Sequence, residues 1–155
     1  MSDAAVIFDF ESDFAGALYC IPMSVRLKLD NVGVKVSLKQ WNKLEREERD
    51  QLLLRPCDTA TDRRAYRDYL IAAIEARTGA KAGELAVAEH PEWLDAARVP
   101  LQVSEYFAAE GRSPLTLAQW GGLAPLQRYV LIKLTRPGHR NENLVPALRE
   151  FGLPN

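Results

Sequence analysis

The sequence predicts an all-α fold with two tandem pseudo-repeats of short helices around one shared core, preceded by a short extended N-terminal segment. Apolar residues recur at helical spacing along most of the chain. Helix start and stop signals, such as proline before and glycine after, border these stretches. The stretches at about residues 20–79 and 98–152 also match each other in sequence. We therefore expect a single helical domain over residues 1–155.

The first elements are short, and one of them is ambiguous. Val6 to Phe10 alternates with a period of two, which predicts an extended lead-in. Apolar residues within Glu11 to Tyr19 lie four apart and indicate a helix. Met23 to Asp30 alternates as a strand does, yet Pro22 before it and Gly33 after it are helix start and stop signals. The local pattern alone leaves both interpretations open.

The remaining elements are predicted as helices from local signals. Ser37 and Gln40 match a capping box, in which each side chain bonds the backbone N–H of the other residue. Glu45 to Leu54 continues the helical pattern until Arg55-Pro56 interrupts it. Asp62 to Thr78 is the clearest amphipathic stretch, and a glycine ends it. Further helices are predicted to begin near Pro91, Pro100, Thr116, Pro125 and Asn143.

The second half of the chain repeats part of the first. Residues 37–52 and 116–131, aligned at an offset of 79, agree at six of sixteen positions, where average residue usage gives about one. Convergence between two capped helices explains shared leucines, but it does not explain two tryptophans and two arginines. We therefore interpret the match as an internal repeat and expect Trp41 and Trp120 in its core. The identical pairs are Leu38/Leu117, Gln40/Gln119, Trp41/Trp120, Leu44/Leu123, Arg49/Arg128 and Leu52/Leu131.

The repeat also decides the ambiguous stretch near the N-terminus. At an offset of 78, Pro22 aligns with Pro100 and Gly33 aligns with Gly111. The residues between the second pair of signals have a helical pattern and good helix formers. The sequence therefore predicts a helix, not a strand, over Pro22 to Asn31.

Composition limits the partners and the compartment. The chain has 155 residues, a net charge of −1 and a pI near 6.1, which argues against a protein that grips nucleic acid through its phosphates. No apolar run approaches the ~18 residues of a membrane helix. The first five residues lack the basic and apolar regions of a secretory signal. Two cysteines form too few disulfide bonds to hold a small secreted scaffold together, so we expect a cytoplasmic protein. From the charge and the apolar runs, we expect no nucleic-acid or membrane partner.

The residues that often carry chemistry form no local motif. Cys20 and Cys57 are the candidates for a thiol pair or a soft-metal site, although buried core thiols are the commoner case. His90 and His139 have no ligand spacing relative to them. Basic residues open the long helix and raise the alternative of a helix-turn-helix-like DNA-binding regulator: Arg63, Arg64 and Arg67. No catalytic or cofactor-binding residue is assigned, and no cofactor is expected.

A further pattern runs through the first half of the chain. It consists of Phe8-Asp-Phe-Glu-Ser-Asp-Phe14, Cys20-Ile-Pro-Met23, Val25-Arg-Leu-Lys-Leu-Asp30, Gly33, Leu38-Lys-Gln-Trp41 and Arg55-Pro-Cys57. This pattern resembles the nitrate reductase associated protein family, and the match is specific between Phe8 and Cys57. The resemblance implies an accessory or maturation factor that is not an enzyme. It also implies that the partner is the polypeptide of assimilatory nitrate reductase.

An accessory factor of this kind needs a surface that contacts its partner. We predict that distinctive positions of the first repeat supply it: Phe8, Phe10, Phe14, Arg26 and Lys28. Aromatic and arginine side chains are the residue types that most often anchor protein interfaces. A thiol- or metal-carrying protein that uses Cys20 and Cys57 is the first alternative, and the DNA-binding regulator is the second.

Overall fold

A computed structural model describes residues 6–139 and 141–155 of the chain. These residues form nine α-helices and one small two-stranded sheet, so the prediction of a mostly helical fold is confirmed. Within the two described ranges, no helix combines the length and the apolar character needed to cross a membrane. The helices are α1 (Ser12–Ala15), α2 (Met23–Val32), α3 (Leu38–Lys43), α4 (Arg46–Leu54), α5 (Ala60–Thr78), α6 (Leu101–Ala109), α7 (Leu117–Gly121), α8 (Pro125–Lys133) and α9 (Leu144–Glu150).

The chain divides into two compact units, Met1–Ala88 and Glu89–Asn155. We call them unit 1 and unit 2. Unit 1 contains α1 to α5, the sheet and a 3-10 helix over Asp9–Glu11, while unit 2 contains α6 to α9 and a 3-10 helix over Glu92–Leu94. The internal repeat and the shared core stay predictions.

The ambiguous stretch after Pro22 is helical, as the repeat predicted. Helix α2 begins after Pro22 and ends at Gly33, whose φ of +72° lies in the left-handed region that favours glycine. Its buried face packs with α3, α4 and α5 to form the core of unit 1. The residues buried in this core include Val25, Leu29, Trp41, Leu52, Tyr66, Leu70 and Ile74.

The sheet of unit 1 was not predicted. Strand β1 (Val34–Lys35) follows Gly33 directly and pairs antiparallel with β2 (Gly83–Glu84), which lies after the end of α5. Gly33 also contacts the chain that follows β2, because a Cβ atom there would lie 2.9 Å from both Leu85 O and Val87 Cγ2. Two-residue strands carry too little alternation to be recognised in a sequence.

The capping box predicted at Ser37 and Gln40 is confirmed, and a second one opens α7. In α3, the Gln40 N–H donates to Ser37 Oγ over 3.1 Å, and the Ser37 N–H donates to Gln40 Oε1 over 2.9 Å. The same pair of bonds, with the same lengths, joins Thr116 and Gln119 at the start of α7. The short helices therefore begin where local side-chain chemistry satisfies their first backbone N–H groups.

The core of unit 2 is formed by α6, α7, α8 and α9. Trp120 is fully buried, as Trp41 is in unit 1, so the prediction that both tryptophans are core residues is confirmed. Trp93, from the 3-10 helix, packs edge-on against Tyr129 with a centroid distance of 5.1 Å. The other buried residues include Val103, Phe107, Leu126, Val130, Leu131, Leu144 and Leu148.

Candidate partner-binding surface

The N-terminal segment of unit 1 is attached to the start of α2 by a buried carboxylate. Glu11 is only 1% exposed. One of its oxygens accepts the Met23 N–H over 2.9 Å, and the other accepts the Phe8 N–H over 3.1 Å. Ser24 Oγ adds a bond of 2.8 Å to the carbonyl of Val6. A carboxylate at this position satisfies a free N–H of α2 and complements the positive end of the helix dipole.

The predicted helix over Glu11 to Tyr19 is wrong beyond its first turn. Helix α1 ends at Ala15 because the chain turns at Leu18, where φ is +59°. We call residues 16–20 the Tyr19 loop. An L-residue in the left-handed region costs about 1–2 kcal/mol, so other contacts must hold it there.

Three side-chain donors from α3 and α4 hold the Tyr19 loop. The carbonyl of Leu18 accepts from Trp41 Nε1 at 2.8 Å and from Arg49 Nη1 at 2.9 Å. The carbonyl of Ala17 accepts from Arg46 Nη1 at 3.1 Å. The Leu18 side chain is itself buried, at 1% exposure. The loop is therefore fixed from inside the unit and does not depend on a partner for its conformation.

The fixed loop and the short helix before it each present an aromatic side chain to solvent. Tyr19 is 69% exposed and Phe14 is 40% exposed, and the Cys20 N–H donates to the Phe14 carbonyl over 3.2 Å. Arg26 is exposed on α2, and its Nε donates to the carbonyl of Ile21 over 3.2 Å. We call Phe14, Tyr19 and Arg26 the Tyr19 surface. Exposed aromatic side chains on a rigid backbone are suited to anchor another polypeptide.

The residues predicted to contact a partner lie in different environments. Phe14 and Arg26 are exposed, and Phe10 is half-buried. Phe8 is buried and its ring stacks on Phe10 with a centroid distance of 5.5 Å. Sequence reasoning missed Tyr19, although an aromatic residue between Gly16 and Pro22, two breakers of regular structure, was the signal that could have found it.

Lys28 lies inside unit 1, which corrects its assignment as a surface contact. It is 5% exposed, and its Nζ donates to the carbonyls of Leu53 and Arg55 over 2.7 and 2.8 Å. The ammonium thus bonds the last carbonyls of α4, and it lies 5.6 Å from the centroid of the Tyr66 ring. Burial lowers the pKa of Lys28 to about 8, against the opposing influence of Cys57 and Asp58.

The two cysteines are free thiols in different surroundings. Cys20 is half-buried and Cys57 is buried. Burial raises the pKa of the Cys57 thiol to about 11, although Arg63 and Lys28 act in the opposite direction. A thiol that stays protonated is a poor nucleophile and a poor metal ligand. Within the described part of the chain, no group of three or more His, Cys, Asp or Glu residues is arranged to hold a metal ion.

The basic start of α5 is partly used inside the fold. Arg67 Nη1 donates to the carbonyl of Val32 over 2.7 Å, and its Nη2 pairs with Glu84 over 3.2 Å. Arg63 Nε donates to the carbonyl of Cys57 over 3.3 Å. These bonds link α5 to the end of α2 and to β2, so the three predicted basic residues do not act as a set of equally available charges.

A family model for the conserved nitrate reductase-associated protein matches residues 7–151. The chain belongs to this family. The resemblance predicted from Phe8 to Cys57 is therefore confirmed, and the family match extends over both units. No curated protein and no solved structure matches the chain. The family name associates the protein with nitrate reductase.

Proposed function

We propose that this chain is a non-catalytic accessory protein, which binds the polypeptide of assimilatory nitrate reductase and supports formation of the active enzyme. The family to which it belongs supports the choice of partner. The observation that carries the proposal is the Tyr19 loop, in which a strained and buried Leu18 is followed by a tyrosine that is 69% exposed.

A rigid loop of this kind lowers the cost of binding. Association normally costs about 0.5–1.5 kcal/mol for each mobile side chain that becomes ordered, besides the cost of ordering the backbone. Because Trp41, Arg46 and Arg49 already fix the backbone of the loop, the backbone is ordered before contact with the partner and only side chains remain to be ordered. Strained residues concentrate where function needs a particular geometry, and the strained Leu18 directly precedes the exposed Tyr19.

The proposed contact residues follow from their exposure. Phe14, Tyr19 and Arg26 contact the reductase directly, and half-buried Phe10 extends the aromatic area. Phe8 and Lys28 act indirectly: Phe8 supports the ring of Phe10 by stacking, and Lys28 fixes the end of α4, the helix that also carries Arg46 and Arg49.

The maturation role is the finer part of the proposal. A reductase that receives a molybdenum cofactor and an iron–sulfur cluster must be kept receptive until both are inserted. A small protein with a preformed aromatic anchor can hold an open form of the apo-enzyme by binding that form better than the closed one. On this proposal the chain carries no cofactor itself, and it acts in the cytoplasm where the apo-enzyme is made.

The alternatives have less support from the contacts. A thiol or metal carrier that uses Cys20 and Cys57 must expose a reactive thiolate, whereas Cys57 is buried and its pKa is raised to about 11. A DNA-binding regulator needs an available basic face, whereas Arg67 is bonded within unit 1. Full reductase activation by a chain with both cysteines changed to serine would remove the first alternative. Absence of salt-dependent DNA binding would remove the second.

The direct test measures the affinity of the purified chain for the apo-reductase of the same organism. Changing Phe14 and Tyr19 together to alanine should weaken binding by about 30-fold or more, because each anchor is expected to contribute about 1 kcal/mol or more. The matched control changes Leu38 and Leu54, two other exposed apolar residues of unit 1 that are 49% and 56% exposed. This control should bind as the unchanged chain does. Equal affinity for the aromatic variant would contradict the assignment of the surface.

A second measurement tests the maturation role. Deletion of the gene should leave reductase polypeptide in the cell as inactive apoprotein, and the unchanged chain should restore activity. The Phe14 and Tyr19 double variant should restore little, while the Leu38 and Leu54 variant should restore activity fully. Normal reductase activity in the deletion strain would reject the maturation role but leave binding itself open to the affinity test.

A further inference from the structure

Unit 2 contains a loop that is held in the same manner as the Tyr19 loop. Trp120 Nε1 donates to the carbonyl of Asp95 over 2.9 Å. Arg128 Nε donates to the carbonyl of Trp93 over 2.7 Å. Trp120 and Arg128 are the sequence counterparts of Trp41 and Arg49, the two residues that bind the Leu18 carbonyl in unit 1. In each unit, therefore, a buried tryptophan and an arginine fix the segment that precedes the helix opened by proline.

The held segment of unit 2 presents one large apolar side chain. Leu94 is 58% exposed, and it lies between Trp93 and Asp95, whose carbonyls are the two acceptors. The Leu94 N–H donates to the carbonyl of Pro91 over 3.0 Å, and the Trp93 ring is packed against Tyr129. The backbone on both sides of Leu94 is thus fixed, as it is before Tyr19. The Leu94 side chain is therefore exposed to solvent on a backbone that is held in place by hydrogen bonds.

The surroundings of Leu94 are predominantly acidic. A cleft of about 510 Å³ is lined by Glu89, His90, Glu92, Leu94, Asp95 and Arg98. The lining contains three carboxylates and one guanidinium, so the cleft carries an excess of negative charge. Its volume falls within the range of about 300–1,000 Å³ in which pockets hold a side chain or a small ligand. An apolar contact flanked by carboxylates is complementary to a segment in which an apolar residue neighbours lysine or arginine.

We propose that this cleft, which we call the Leu94 cleft, is a second docking site of the chain and takes a basic segment of the reductase polypeptide. The inference rests on the proposed function for the identity of the partner. The aliphatic or aromatic residue of that segment packs on Leu94, and its lysine or arginine pairs with Glu89 and Glu92. Exposed charges of this kind act mainly on the rate of association and on the choice of partner segment.

The experiment reverses the charge of the cleft while keeping its shape. Glu89 and Glu92 are both changed to lysine, and the affinity for apo-reductase is measured at low and at physiological salt. Binding should weaken at least tenfold at low salt, and its dependence on salt should fall, because attraction between exposed charges is screened by ions. The matched control changes Glu105 and Glu142 to lysine, which are exposed glutamates elsewhere in unit 2. This control alters the net charge equally and should bind as the unchanged chain does.

Two further readouts keep the proposal open to refutation. Leu94→Ala retains every charge and should weaken binding severalfold, which separates the apolar contact from a general electrostatic effect. Carbodiimide treatment of the complex should join Glu89 or Glu92 directly to lysines of the reductase, which mass spectrometry identifies. If the unchanged chain binds reductase but these variants bind equally well, the Leu94 cleft is not a docking site and the proposed function stands. If the unchanged chain does not bind reductase, both proposals fall.

Discussion

The Tyr19 loop of unit 1 and the Leu94 segment of unit 2 are held by the same two types of side chain in different ways. In unit 1, Trp41 and Arg49 converge on one carbonyl, that of Leu18. In unit 2, Trp120 bonds Asp95, while Arg128 spreads its bonds over Trp93 and the Leu123 carbonyl, at 2.7 and 2.6 Å.

The convergence in unit 1 has two costs that unit 2 avoids. Leu18 adopts a left-handed conformation, and within the described ranges it is the one non-glycine residue that does so. The Nε of Arg49 is also buried without a hydrogen-bond partner among the described residues, whereas the Nε of Arg128 is bonded. The two units therefore share the donors, a tryptophan and an arginine, but they differ in which carbonyls accept and in the backbone geometry there.

The ends of α4 and α8 differ in a second way. In unit 1, the charged Nζ of Lys28 bonds the carbonyl of Leu53. In unit 2, the neutral amide of Gln102 bonds the carbonyl of Ile132, the position that aligns with Leu53, over 2.7 Å. The same helix end is thus satisfied by a charge in one unit and by a dipole in the other. Only the first arrangement makes stability depend on the protonation of the donor.

The largest expected effect tests whether the two tryptophans are equivalent in their units. Trp41→Ala and Trp120→Ala should each lower the free energy of unfolding by about 3–5 kcal/mol, because each removes a fully buried ring and the donor that holds a loop. Chemical denaturation followed by circular dichroism measures the change. Half-buried Trp93 is the control, and Trp93→Ala should cost less. A large loss of unfolding free energy for one of these variants and a small loss for the other would show that the two tryptophans are not equivalent.

A smaller effect isolates the strain at Leu18. Leu18→Ala and Leu18→Gly both remove the buried side chain, but only glycine tolerates a φ of +59° without strain. The glycine variant should therefore be more stable than the alanine variant by about 1–2 kcal/mol. At Leu52, inside α4, the order should be reversed, because glycine disfavours a helix by about 1 kcal/mol relative to alanine. If the alanine variant is the more stable one at Leu18 as well as at Leu52, then Leu18 is not strained.

The smallest effect tests the charged donor of unit 1. Burial lowers the pKa of Lys28 from 10.5 to about 8, so between these values the unfolded chain holds a proton that the folded chain lacks. Stability should therefore rise with pH in this window. The raised pKa of Cys57, about 11 against 9.0 for an ordinary thiol, has the opposite effect once the pH passes 9.

The net gain should be visible between pH 8 and 9, at about 0.5–1 kcal/mol. Denaturation midpoints of the unchanged chain and of Lys28→Met, measured at both values, make the test. The rise should be absent in the methionine variant, which has no group to titrate at that position. Gln102→Met is the matched control in unit 2 and should keep the rise. A rise of equal size in the Lys28 variant would assign it to other groups.

Features that depend on neighbouring residues could be predicted from the sequence. The capping boxes at Ser37 and Thr116 join residues three positions apart, so they are visible in the chain itself. Helix α2 required more, because its own residues alternate like a strand and the pattern after Pro100 had to be used as a guide. The burial of the two tryptophans could be predicted because each lies on the same helix face as the leucines near it.

Features that depend on distant residues could not be predicted. The Glu11 carboxylate caps α2 through Met23, twelve positions away, across a turn whose course depends on Leu18. Lys28 resembled a surface residue because its ammonium reaches two carbonyls at the end of a helix more than twenty residues later. Phe14 and Arg26, two of the contact residues proposed from the sequence, are exposed, whereas the exposure of Tyr19 was not predicted.

A substitution at Gly33 should make the protein sensitive to temperature in the cell. A side chain there would require a left-handed backbone and would press on Leu85 O and Val87 Cγ2, each 2.9 Å from the added carbon. The chain beyond β2 would have to shift, while the buried residues of α2 would be unchanged. Under the proposed maturation role, Gly33→Ala should thus yield a heat-sensitive allele: growth on nitrate at low temperature, failure when warmed, and recovery on cooling. Such an allele would test when, during the induction of nitrate use, the proposed role is needed.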